Sequence, residues 1–110
     1  MERFVKGDVV VVPFPFSDLS RSKRRPALVV QNFEGDDLLL AQITSKLIRD
    51  EFAVKLFETD FKSGKLNKQS NIRPNKLFTC SKNLILYKIG NIKEEKMKSI
   101  TESIKLLLDN

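Results

Sequence analysis

At 110 residues, with a formal net charge of +6, 41% hydrophobic residues and no histidine, the chain reads as one domain over 1–110, able to bury roughly two thirds of its unfolded surface. The lone cysteine, Cys80, excludes an intrachain disulfide, which fits a reducing cytoplasm, and the lack of histidine excludes Ser–His and Cys–His nucleophile pairs and a transition-metal site of ordinary ligand type. The longest apolar run, Val9 to Phe16, is too short to span a bilayer, and Glu2, Arg3, Lys6 and Asp8 are not the start of a signal peptide.

Val9 to Phe14 is β-branched and predicts a strand buried on both faces. Ser17 to Arg24 reads as a basic loop carrying Arg21, Lys23 and Arg24. It delivers Arg25 to the mouth of a second strand, Ala27 to Gln31. Apolar residues on either side of Arg25 fix where its guanidinium points, and a guanidinium so held grips a phosphate with two parallel hydrogen bonds, a geometry lysine cannot copy. A surface loop with solubilising charge is the plainer reading of the same residues.

Asn32 to Asp37, with Gly35, predicts a hairpin turn into a third strand, Leu38 to Thr44. Phe52, Val54 and Leu56 alternate as a fourth. Thr59 to Gln69 reads as an irregular connection with one helical turn around Asp60 to Ser63. Asn71 to Thr79 is extended, with Ile72, Lys76 and Phe78 on one side, and Pro74 requires an edge or a bulge because it offers no ladder donor. Ile85 to Ile89 is a short last strand ending at Gly90. Lys93 to Leu108 is a helix whose Met97, Ile100, Ile104, Leu107 and Leu108 form one core-facing stripe, with Glu94 and Glu95 in the first turn where negative charge suits the helix dipole. The sum is a mostly β, α+β fold: a small, strongly curved antiparallel sheet closed by a C-terminal helix.

No acidic residue falls between Asp60 and Glu94, while Lys62, Lys65, Lys68, Arg73, Lys76, Lys82 and Lys88 all do. That distribution predicts a one-sided positive field and a polyanionic partner, nucleic acid or acidic peptide. No glycine-rich loop precedes a helix, and Asp36-Asp37 reads as a turn rather than a cation site, since adjacent strand residues point to opposite faces. What remains is arginine, hydroxyl and amide chemistry on a phosphodiester. RNA carries its own nucleophile, the 2′-hydroxyl, so cleavage needs no metal, no cofactor and no protein nucleophile. The protein must orient that hydroxyl and neutralise charge on the five-coordinate phosphorus. Arg25 suits the second task, and Thr44 and Ser45, ending the third strand, offer hydroxyls to phosphate oxygens.

Gly7-Asp8-Val9-Val10-Val11-Val12-Pro13-Phe14-Pro15-Phe16-Ser17-Asp18-Leu19, then Arg24-Arg25-Pro26-Ala27-Leu28-Val29-Val30, then Ile43-Thr44-Ser45 resemble the MazF/PemK toxin family, as do the later segments Ser70 to Thr79 and Lys88-Ile89-Gly90. The resemblance covers nearly the whole chain. It implies an SH3-like barrel of antiparallel strands with a C-terminal helix. It also implies a homodimeric, metal-independent, sequence-specific endoribonuclease acting on single-stranded mRNA, and neutralisation by a cognate antitoxin whose acidic C-terminal tail lies over the RNA groove. By the same resemblance Arg25, Thr44 and Arg73 are the catalytic residues; Ser45, Asn75, Lys76 and the basic residues Arg21, Lys23 and Arg24 are the candidate RNA-binding residues beside them. Charge stabilisation is the physically better role for Arg73, because arginine is a poor acid at neutral pH.

One position departs from the family. Where one branch places an aspartate as general base, this chain has Asn75, an amide that accepts no proton usefully. Either Arg25 and Thr44 carry the reaction, or the chain is a catalytically weakened RNA-binding module. A toxin of the same fold that binds a protein target such as gyrase through its terminal helix is the non-enzymatic alternative.

Overall fold

A computed structural model describes residues 3–14, 23–46 and 50–109. Among them, seven strands run β1 (Asp8–Phe14), β2 (Lys23–Asn32), β3 (Asp37–Thr44), β4 (Val54–Leu56), β5 (Phe61–Gly64), β6 (Ser70–Ser81) and β7 (Tyr87–Ile92), followed by one helix, α1 (Glu94–Asp109). They form a single antiparallel sheet in the order β4-β6-β3-β2-β1-β7-β5. The sheet curls into a half-barrel until its edge strands β4 and β5, joined through the 3-10 turn Glu58–Asp60, line one core.

Strand alternation sorts the apolar residues onto two sides. Val9, Leu28, Ala41, Ile43 and Ile72 point to the side covered by α1, where Met97, Ile100 and Ile104 complete the packing. Val10, Val12, Ala27, Val29 and Leu40 point the other way and build a second cluster with Phe4 and Cys80. The central valines are therefore buried on both faces, as the sequence predicts, and each fully buried one is worth about 1.5–3 kcal/mol of transfer energy. Burial also pushes the Cys80 thiol above its ordinary pKa, so it stays a protonated core residue.

Several boundaries differ from the sequence-based expectation. β2 begins at Lys23, so Lys23 and Arg24 are strand residues; the rest of the expected basic loop, with Arg21, lies outside the described residues, as does Phe16 before it. The hairpin bend takes its left-handed residue at Glu34 (φ 63°) rather than Gly35, because the Asn32 side-chain oxygen accepts the Glu34 N–H at 2.8 Å and holds the turn there. Phe61–Gly64, expected to be irregular, is an edge strand on β7, and β7 starts later and runs past Gly90 to Ile92. Ile72 and Phe78 fall on opposite sides of the sheet, not one: Ala41 pairs with Leu77 and Gln42 with Arg73, so Pro74, Asn75 and Lys76 form a wide bulge that resets the alternation. Pro74 thus sits in a bulge, as its missing donor requires. In α1, Leu107 is half-buried but Leu108 is 72% exposed, outside the packed stripe.

Asp8 is a buried carboxylate at the start of β1. It accepts from the Val5 N–H at 2.9 Å and from Asn91 Nδ2 at 2.8 Å, and Lys88 Nζ lies 3.4 Å away. These contacts tie the N-terminal segment to β7. Asp8→Ala is expected to lower the free energy of unfolding by about 2 kcal/mol, since it strands buried donors; a urea midpoint unchanged at constant slope would contradict this.

Candidate active site

The face of the sheet opposite α1 gathers most of the residues that sequence reasoning assigns to catalysis. Ala27 pairs with Gln42, and Gln42 pairs with Arg73. Arg25 lies two residues from Ala27 on β2 and Thr44 two residues from Gln42 on β3, so both project from the same side as that row. Thr44 is in turn paired with Asn71 on β6. Arg25, Thr44, Asn71, Gln42 and Arg73 therefore share one face over three neighbouring strands. On the same side Val12, Ala27 and Leu40 are buried in the second apolar cluster.

Thr44 is buried and its Oγ1 accepts the Lys46 N–H at 3.2 Å, which leaves its own proton to donate. Arg25 is half-buried, and among the described residues no carboxylate pairs with it. Arg73 meets the carboxylate of Asp50, which arrives from a different part of the chain: Nε and one terminal nitrogen both donate to Oδ2, at 3.3 and 3.1 Å. The other oxygen, Oδ1, accepts the Phe52 N–H at 3.0 Å.

Asp50's carboxyl is held below the ordinary aspartate value, first by the Phe52 N–H; burial opposes this, and the Arg73 guanidinium and the Asn75 amide reinforce it. A depressed folded pKa stabilises the fold at pH above the unfolded value, about 4, and the contribution is lost as pH falls through the folded value. The stability difference between the native chain and Asp50→Asn is therefore expected to hold at neutral pH and to shrink on acidification. Denaturant titrations at a series of pH values read this directly, and a difference that grows on acidification would contradict it.

The other residues singled out by the sequence scatter more widely. Lys23 shares the face of Arg25 at its exposed rim, whereas Arg24 points to the opposite side of β2. Ser45 is exposed just past β3, and Asn75 and Lys76 are exposed on the β6 bulge. Arg21 lies outside the described residues. The acid-free span does not build a single patch: Lys62 lines a groove against α1, Lys88 approaches Asp8, and Arg73 faces Asp50. Sequence reasoning passed over Gln42, which strand parity alone connects to Thr44, Asn71, which only the register of β3 with β6 brings to it, and Asp50, for which no local pattern exists. Among the described residues no three His, Cys, Asp or Glu side chains converge in a metal-binding cluster.

The fold is shared with solved toxins. One neighbour is an endoribonuclease in complex with its cognate antitoxin from a mycobacterial species, 14% identical over 97% of this chain and 96% of that one, with a TM-score of 0.76. MazF from Deinococcus radiodurans is 16% identical over the full length of both chains at a TM-score of 0.74. The Mycobacterium tuberculosis toxin MazF-mt6 is 17% identical over 91% and 96% at 0.68. No curated protein matches the chain by sequence. A family model does, over residues 5–108, and it spans every strand and all but the end of α1. The chain belongs to the family of PemK-like, MazF-like toxins of type II toxin–antitoxin systems.

Proposed function

We propose that this toxin is an endoribonuclease that cleaves single-stranded mRNA by attack of the 2′-hydroxyl on the adjacent phosphorus. The observation that carries this reading is the shared face of Arg25 and Thr44, with Arg73 on the next strand. A new 2′-O–P bond forms as the P–5′-O bond breaks. The products are a 2′,3′-cyclic phosphate and a 5′-hydroxyl, and the proton lost by the 2′-oxygen balances the one gained by the leaving 5′-oxygen. The guanidinium of Arg25 takes up negative charge on the non-bridging oxygens, and the Thr44 hydroxyl donates to one of them. No step needs a bound metal, because nucleophile and electrophile both come from the RNA. Unpaired RNA is the expected substrate, since A-form helices hide their base edges.

The same cationic face fits the acidic C-terminal tail of a cognate antitoxin, which would exclude RNA by occupying it, and a homodimer is the expected assembly. Mapping cut ends in a mixed RNA pool, with and without EDTA, tests the reading: cyclic phosphate and 5′-hydroxyl ends should appear equally in both. Cleavage lost on chelation would defeat it.

One observation favours a second reading. Leu106 and Leu108 are 66% and 72% exposed at the end of α1, an apolar tip suited to a protein target. Under that reading Leu106→Lys with Leu108→Lys abolishes growth arrest while any RNA cleavage persists.

A further inference from the structure

Asp50 is absent from every motif that the sequence singled out, yet its side chain is only 9% exposed and both of its oxygens are engaged. Its partner Arg73 is 23 residues away, on the β6 side of the site face. We infer that Asp50 is a positioning residue for the proposed ribonuclease: its carboxylate clamps one edge of the Arg73 guanidinium so that the remaining N–H groups meet the reacting phosphate beside Arg25. The inference rests on the ribonuclease reading for its consequence, but not for the clamp itself.

Two alternatives are weaker on physical grounds. Asp50 is not suited to take the 2′-hydroxyl proton, because a carboxyl held below the ordinary range by three donors is a poor base at neutral pH. Nor is it a simple surface ion pair, since Oδ2 receives Nε and a terminal nitrogen together and the Arg73 side chain is itself only 21% exposed. A guanidinium held by two of its N–H groups has lost the freedom of its terminal torsions before substrate arrives, which is how such a clamp accelerates a reaction.

The clamp also accounts for Asn75. The exposed bulge of β6 brings this amide to Asp50, where it adds to the pull on the carboxyl. An aspartate at 75 would instead set a second negative charge against Asp50 and compete for Arg73. The carboxylate that pairs with Arg73 comes here from position 50, and an amide is what position 75 can then hold. Asn75→Asp is therefore expected to slow cleavage rather than restore a missing base.

The test is a double-mutant cycle on the full chain, with a defined single-stranded oligoribonucleotide as substrate. Asp50→Asn keeps an oxygen for the Phe52 N–H and removes the charge. It is expected to lower kcat roughly 30-fold in the native background with little change in KM, and less than about threefold in an Arg73→Gln background. Equal losses in both backgrounds, or no loss in the first, would overturn the inference. In the same samples without RNA, the Arg73 Nε–H signal should exchange slowly with solvent in the native chain and rapidly in Asp50→Asn. Should the native chain leave all RNA intact, the ribonuclease reading fails, and this exchange measurement still decides the clamp: unchanged exchange in Asp50→Asn refutes it.

Discussion

Arg25→Ala is expected to slow cleavage of single-stranded RNA by about two to three orders of magnitude, the usual cost of removing one well-placed donor from a developing oxyanion. The unfolding midpoint should barely move. Arg25 is half-buried at the open end of β2, its cross-strand neighbour is Val12, and no described carboxylate depends on it. Changes at such positions normally stay within about 0.5 kcal/mol. Arg25→Lys separates charge from shape: the charge survives and the planar two-pronged grip does not, so an intermediate rate is expected. Thr44→Val should be milder than Arg25→Ala, because a hydroxyl donates one hydrogen bond without a formal charge, while the methyl groups still fill the end of β3. Rates on one oligonucleotide, together with growth arrest on expression, measure all three. Native-like cleavage by Arg25→Ala would remove this residue from the mechanism and with it the physical basis of the proposed activity.

What the sequence made legible follows from how locally each feature is encoded. The valine and leucine runs of β1 to β3 declare themselves, because burial on both faces needs no partner to be recognised. Arg25 and Thr44 were readable as a pair of anchored groups at strand ends. That they share a face depends on the register Ala27 to Gln42, which no single strand contains. Pro74 announced a bulge but not its width, and three looped-out residues were enough to separate Ile72 from Phe78. β5 was invisible: Phe61-Lys62-Ser63-Gly64 has one apolar residue and ends in glycine, and it is a strand only because β7 lies against it. Asp50 was invisible for the same reason in sharper form. A carboxylate in an acidic stretch acquires its meaning from a guanidinium on a strand folded back from far along the chain.

Gly64→Ala is expected to be strongly destabilising, and for a reason distant from the site. Gly64 has φ +74°, a conformation L side chains rarely adopt, and a Cβ there would stand 2.1 Å from the Ile89 carbonyl oxygen and 2.7 Å from Gly90 Cα. The pair Gly64 and Gly90 lets β5 and β7 approach more closely than any side chain allows: a Cβ on Gly90 would meet the Ser63 oxygen at 2.3 Å. Backbone strain and a backbone clash add, so a loss of about 3 kcal/mol or more is expected. For a domain of this size that lowers Tm by roughly 10–20 °C. Gly35→Ala is the control. Its Cβ meets nothing within 4 Å and its φ is not left-handed, so it should be neutral or slightly stabilising. The strand order gives the prediction a second edge. β5 is at one end of the sheet, while Arg25, Thr44 and Arg73 lie on β2, β3 and β6 toward the other. Well below its lowered Tm, Gly64→Ala should therefore cleave RNA at the native rate per folded molecule, the converse of Arg25→Ala, which keeps the fold and loses the rate. A folded Gly64→Ala protein as slow as Arg25→Ala would mean that the edge strand and the site face are one mechanical unit, and the division of labour across this sheet would be wrong.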